Sequence, residues 1–188
     1  MIDIAGRRID LDMSDAAVWR RHQWSVWDPK VRERLRAAAP DAAVAKRHIA
    51  ALEAHVTSEL VRAARFHRAL SHPAATGPTR YIVFGSACFP TAARCLLEEI
   101  DGKAHIRLQP EEIRNPLPGV PYASLMLEPG DGSVTKASLM ARDNLDPRVA
   151  RTDFPIAWAT FICERHEDLT GSPTFQDNLL NVLLYGVR

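Results

Sequence analysis

A single aspartate stands between two glycines in Pro129-Gly130-Asp131-Gly132-Ser133-Val134, and this stretch most limits what the chain can fold into. Glycine on both sides lets the backbone turn where a Cβ would forbid it, so the aspartate belongs at the tip of a sharp turn. The run Tyr122-Ala123-Ser124-Leu125-Met126-Leu127 ahead of it is strand-compatible, which would put one carboxylate at the edge of a sheet. Further on, Ala157-Trp158-Ala159-Thr160-Phe161-Ile162 reads as a second strand, and Glu164-Arg165-His166-Glu167-Asp168 follows it as a loop. An acid after one strand and a histidine after the next are two parts of a nucleophilic catalyst. The third part, a serine on a Gly-x-Ser-x-Gly turn, is not in the sequence.

The order Asp then His on successive strands is the layout of the second half of an α/β-hydrolase. The bulk numbers permit a fold of that kind. A chain of 188 residues makes one domain, or one with a small appendage, and buries roughly 70% of its unfolded surface. A net charge of +1 gives no reason to expect nucleic acid or an anionic membrane as a partner. Cys88, Cys95 and Cys163 are odd in number and lack metal-ligand spacing, which favours reduced thiols over a disulfide framework and predicts no metal site. The N-terminus has no apolar core of signal length. No apolar run approaches the ~18 residues of a membrane span. The expectation is a soluble, cytoplasmic product with no cofactor.

Read in order, residues 2–11 suit a short hairpin around Ala5-Gly6. Trp19, Trp24 and Trp27 then fall close together, either filling a small core or walling a lipophilic pocket. A short helix over Lys30–Ala38 is followed by a long one from Ala39-Pro40-Asp41 to Leu70. The apolar positions Ile49, Leu52, Val56, Leu60, Ala63, Phe66 and Leu70 give that long helix one buried stripe. His55 and Glu59 lie one turn apart on it, on what reads as a solvated face. Ser71-His72-Pro73 ends the helix, and a linker of small residues runs to Thr79.

Tyr81-Ile82-Val83-Phe84 is a strand emptying into Gly85-Ser86-Ala87-Cys88-Phe89-Pro90-Thr91. Ser86 is a tempting nucleophile, but Phe84 and Cys88 occupy the two places where an elbow needs glycine. Cys88 itself has no visible activating partner. Asp101-Gly102, between β-compatible runs, predicts a two-residue hairpin. Asn115–Pro121 carries three prolines and reads as a rigid loop. Ser133 is placed to cap a short helix through Met140, and Asp143, Asp146 and Asp153 fall in a polar connection. Ser172 and Pro173 open a last helix that Gly186 stops after Tyr185.

Several of these stretches together resemble one family. Trp19-Arg20-Arg21-His22-Gln23-Trp24 with Asp28-Pro29 is similar to the cap segment of bacterial proteins of the lecithin:cholesterol acyltransferase family, and Leu60–Leu70 to the cap helix that follows. Tyr81-Ile82-Val83-Phe84-Gly85 with Phe89-Pro90-Thr91 resembles that family's strand and Gly-x-x-x-Pro-Thr loop. Gly130-Asp131-Gly132-Ser133-Val134, with Ser138, resembles its Gly-Asp-Gly-Thr-Val acid motif. His166-Glu167-Asp168-Leu169, with a helix containing Asn178, resembles its terminal histidine segment.

The resemblance implies an α/β fold, the C-terminal part of an α/β-hydrolase sheet with a helical cap segment. Residues 1–76 would form the cap-like, mainly helical segment and residues 77–188 the C-terminal half. It implies a Ser–Asp–His triad acting on a lipid-like ester, by hydrolysis or acyl transfer, with Asp131 as acid and His166 as base. The sequence departs from the family in lacking the first strands, the oxyanion loop and the serine elbow. A complementing chain or a second copy is then the expected partner. Two other readings stay open: a non-catalytic interaction partner using an incomplete sheet, and a small hydrolase using Ser86 or Cys88.

Overall fold

The computed structural model describes residues 1–71, 77–140 and 156–186. Strand β1 (Ile2–Asp3) is followed by α1 (Ala16–Arg21), a 3-10 turn at Ser25–Trp27, α2 (Pro29–Ala38) and α3 (Ala42–Ser71). Local chemistry sets these starts. The Asp15 and Asp28 carboxylates accept the Ala17 and Lys30 amides at the N-termini of α1 and α2, with Pro29 in the first turn of α2. Asp41 accepts the Val44 amide at 2.7 Å as α3 begins.

Of the three clustered tryptophans, Trp24 and Trp27 fill the core, and Trp19 is half-buried with its indole N–H donating to the Met13 carbonyl at 2.8 Å. Trp24 and Trp27 are buried together with Val18, Val26 and Ala45. The Trp24 indole N–H donates to the Ala104 carbonyl at 3.0 Å. The Lys103 ammonium lies 2.6 Å from the Asp28 carboxylate. These two contacts fix the helical segment to a hairpin made by β4 (Leu96–Ile100) and β5 (Lys103–Arg107).

That hairpin turns where the Asp-Gly pair predicts. Asp101 (φ 52°) and Gly102 (φ 72°) are both left-handed, as a two-residue turn matching strand twist requires. β1 adds to it in parallel, Ile2 opposite Leu96. The expected hairpin over residues 2–11 is reduced to a turn and a single bridge between Ile2 and Arg8. Ile2, Leu96, Ile113, Tyr122 and Met126 close a small core beneath. Glu98 is buried within the hairpin and bonds Arg107 and the amides of Arg114 and Asn115.

Two more pairs of strands carry the stretches singled out above. β2 (Tyr81–Gly85) runs parallel to β7 (Ile156–Phe161), and β3 (Phe89–Ala92) runs antiparallel to β6 (Leu127–Gly130). Helix α6 (Pro173–Tyr185) packs on the parallel pair through Phe175, whose ring lies 5.1 Å from that of Phe84. The described residues thus form a mixed α/β structure with three small sheets. Among the described residues, no helix is long and apolar enough to cross a membrane.

Four expectations need correction. Tyr122–Leu127 is not a strand: Tyr122–Met126 form helix α4, and β6 begins at Leu127. Tyr122 and Met126 are buried and lie one turn apart, so the apolar spacing that satisfies a strand also satisfies one helical face. The cap of helix α5 (Lys136–Leu139) is Thr135, which accepts the Ser138 amide at 3.1 Å, and not Ser133. The apolar stripe of α3 is only partly covered: Ile49, Val56 and Leu60 are half-buried next to the buried Ala45, whereas Leu52, Phe66 and Leu70 are exposed. Finally, Cys88 and Cys163 are joined in a disulfide, leaving Cys95 as the free thiol. His72, Pro73, Asp143, Asp146 and Asp153 lie outside the described residues.

Candidate active site

The parallel strands β2 and β7 end side by side, Gly85 opposite Phe161, and the Ile162 amide extends the pairing to the Gly85 carbonyl at 2.8 Å. The loops leaving both strands therefore start from one sheet end. The Cys88–Cys163 disulfide ties those loops together three residues ahead of His166. Between the two strands the chain makes its excursion through β3 to β6 and returns with Asp131 beside the histidine.

The two glycines flanking Asp131 serve different ends. Gly132 has φ 95°, a left-handed conformation that a side chain resists. Gly130 has an ordinary φ but no room: a Cβ there would meet the Val134 carbonyl and the Thr91 side chain. The turn closes with the Asp131 amide donating to the Val134 carbonyl at 3.2 Å. One carboxylate oxygen, Oδ1, accepts the amides of Ser133 (2.9 Å) and Val134 (2.7 Å).

The other oxygen, Oδ2, lies 2.8 Å from His166 Nδ1. The His166 backbone amide donates to the Asp131 carbonyl at 3.0 Å, so the pair is held at two levels. Burial pushes the Asp131 carboxyl up. The Val134 amide, the His166 ring and the Ser133 amide outweigh that, and the group sits below the usual carboxylate range. An ionised carboxylate on Nδ1 fixes the proton there and leaves Nε2 as the basic nitrogen. Asp131 is 4% exposed, while the His166 side chain is 54% exposed, so the ring reaches from a buried anchor to an open face.

Such a pair can take a proton at Nε2 and stabilise the imidazolium that results. It brings no nucleophile of its own. Ser86 is buried, and its Oγ accepts the Cys88 amide at 3.4 Å. The Cys88 sulfur is committed to the disulfide. The rival acids Glu164 and Asp168 make no bond to His166. His55 is exposed, and Glu59 pairs with Arg62 at 2.8 Å. Among the described residues no group of His, Cys, Asp and Glu is arranged to hold a metal ion.

Sequence reasoning gave no role in the acid turn to Thr91. Its Oγ1 accepts the Gly132 amide at 2.9 Å and donates to the Phe89 carbonyl at 3.1 Å. Thr91 is carried to the turn by the antiparallel pairing of β3 with β6, which the sequence alone did not signal. No family model, no curated protein and no solved structure matches this chain.

Proposed function

We propose that this chain supplies the acid and the base of a Ser–Asp–His triad in an esterase or acyltransferase of lipid-like esters, of the α/β-hydrolase kind. The observation that carries the reading is the Asp131–His166 pair: a buried, ionised carboxylate on Nδ1 of a ring whose Nε2 end is open. In this reading His166 takes the proton of a serine hydroxyl as it attacks the ester carbonyl and returns it to the leaving alcohol. Asp131 holds the tautomer and steadies the imidazolium. The serine and the oxyanion donors come from polypeptide outside these 188 residues, either contiguous with them or on another chain. The disulfide fits an oxidising compartment better than the reducing cytoplasm that an odd cysteine count favours.

A second reading has its own observation. A parallel pair of strands is ordinarily buried on both faces, yet among the described residues β2 and β7 stand as two strands. On α6, Leu180, Leu183 and Leu184 face outward. A non-catalytic partner that docks through this unfinished sheet would look the same.

The test is native capture of the tagged chain from its own cells after fluorophosphonate labelling. The expected result is a labelled serine outside residues 1–188, with labelling reduced in His166→Ala. Capture without any labelled serine would favour the docking role. Label on the chain itself, lost in Ser86→Ala, would transfer the chemistry to Ser86.

A further inference from the structure

The second half of α3 combines an uncovered apolar line with a run of cations. From Leu60 to Ser71 the sequence holds Arg62, Arg65, Arg68 and His67 and no acidic residue. A net charge of +1 over the whole chain conceals this local excess of three positive charges. The apolar line is the continuation of the stripe that packs near Ala45. Beyond Leu60 no described residue covers it: Phe66 is 61% exposed and Leu70 is 55% exposed, and every residue from Val61 to Leu70 except Ala64 is exposed.

At 100° per residue, Ala63, Phe66 and Leu70 share one side of the helix, and Arg65 and Arg68 lie on the other. Arg62 flanks the apolar side and pairs with Glu59. Arg65 and Arg68 make no ion pair among the described residues. A helix with Phe and Leu on one side and arginines around the rest, free of acids, suits an interface whose surface is anionic and whose interior is apolar. Long arginine side chains can lay their stems along the apolar boundary and keep their charges at the headgroups.

We propose that the C-terminal half of α3 docks on an anionic lipid surface, with Phe66 and Leu70 entering the acyl boundary and Arg65 and Arg68 meeting the headgroups. Two features favour lipid over a protein partner. Phe66 and Leu70 lie along one line of a rod, with Val61 on the arginine side, so a fluid layer receives them without a matching shape. Arg65 and Arg68 have no ion-pair partner among the described residues, and Arg62 is paired with Glu59. The inference is independent of the triad, because it concerns a face and not the site.

The test is co-sedimentation of the full chain with vesicles of phosphatidylcholine alone, and of phosphatidylcholine and phosphatidylglycerol in equal parts. The expected result is binding to the anionic vesicles that weakens with salt. Binding should fall about 30-fold in Arg65→Gln with Arg68→Gln, from the worth of two basic residues at a charged bilayer. It should be lost in Phe66→Ser with Leu70→Ser. Both variants change exposed side chains only, and far-ultraviolet circular dichroism checks that they remain folded. Equal binding to both vesicle types, or binding that survives the Phe66 and Leu70 changes, would overturn the proposal. So would failure to bind vesicles together with self-association that the same changes abolish, which would give the face to a second copy.

Discussion

The Thr91 hydroxyl accepts the Gly132 amide at 2.9 Å, so β3 holds the turn that presents the acid. Thr91 lies opposite Glu128 in the β3–β6 pair, and the buried side chain spans from that ladder to the far side of Asp131. Replacing it with valine keeps the shape and leaves the Gly132 amide without its acceptor. The expected cost is about 1–3 kcal/mol, read from urea unfolding. Thr91→Ser should recover most of it. The sharper check is hydrogen exchange at the Gly132 amide, which should quicken in Thr91→Val ahead of global unfolding.

Gly130→Ala tests the same turn by crowding. The added methyl would run into the Val134 carbonyl and Thr91, both fixed in place. The expected outcome is a destabilised acid turn and loss of the Asp131–His166 bond, seen as altered His166 ring shifts in nuclear magnetic resonance spectra. Gly132→Ala should act differently: its Cβ meets nothing, and its penalty comes from a positive φ of 95°. Strain of that kind costs roughly 1–2 kcal/mol. Equal effects from both changes would contradict the separate roles assigned to the two glycines.

Glu98 is the main buried charge of the β4–β5 hairpin, with Arg107 Nε at 2.7 Å and the Arg114 and Asn115 amides at 2.9 and 2.8 Å. Burial pushes its carboxyl up, and Arg107 with the two amides outweighs that, so it sits below its usual range. Glu98→Ala strands a largely buried guanidinium and two amides. Breaking one side of such a pair costs about 3–5 kcal/mol. Equilibrium unfolding of Glu98→Ala against the parent chain measures it.

What could be read from residues alone was the chemistry of turns and caps. Asp101-Gly102 demanded a left-handed pair and has one. Pro29, Pro173 and Gly186 mark helix ends as their missing amide or missing Cβ requires. The turn at Gly130-Asp131-Gly132 was legible from its two glycines, and the loop carrying His166 from the strand signal at residues 157–161. Tyr122–Leu127 was not: six residues of mixed apolar and small side chains fit both a strand and a short helix, and packing of Tyr122 and Met126 against Leu96 decided it. The burial of α3 was overread because period reports which side is apolar and says nothing about what covers it. The disulfide was missed because an odd cysteine count carries no information on proximity. Only the parallel pairing of β2 with β7 brings positions 88 and 163 together.

Asp131 and Glu98 make stability depend on pH in a defined direction. Both carboxyls are held below their unfolded values of 3.8 and 4.5. Their contribution is present above those values and is lost as pH falls through the lower native ones, because the unfolded chain then binds the extra protons. His22 adds an earlier loss of the same sign. Burial, with Arg21 beside it, holds it below 6.5, so the unfolded chain takes up its proton first as pH drops past that point. The urea midpoint should therefore decline gently from about pH 6.5 and steeply below about pH 4. His22→Phe should remove the first decline and leave the second. A midpoint that rises on acidification would contradict both assignments.

The disulfide closes a separation of 75 residues and lies three residues before His166. By loop closure a bond of this span is worth about 4 kcal/mol, through restriction of the unfolded chain. Its position adds a local consequence, because the His166 amide bonds to the Asp131 carbonyl just downstream of the staple. Cys88→Ser with Cys163→Ser should lower unfolding stability by up to that amount and quicken hydrogen exchange at the His166 amide. Cys95→Ser should do neither. Alkylation settles the premise: the unreduced, denatured chain should take up one equivalent of iodoacetamide, at Cys95, and three after reduction. Three equivalents without reduction would mean that the thiols are free and that the His166 loop is held by non-covalent contacts, the Asp131 bonds among them.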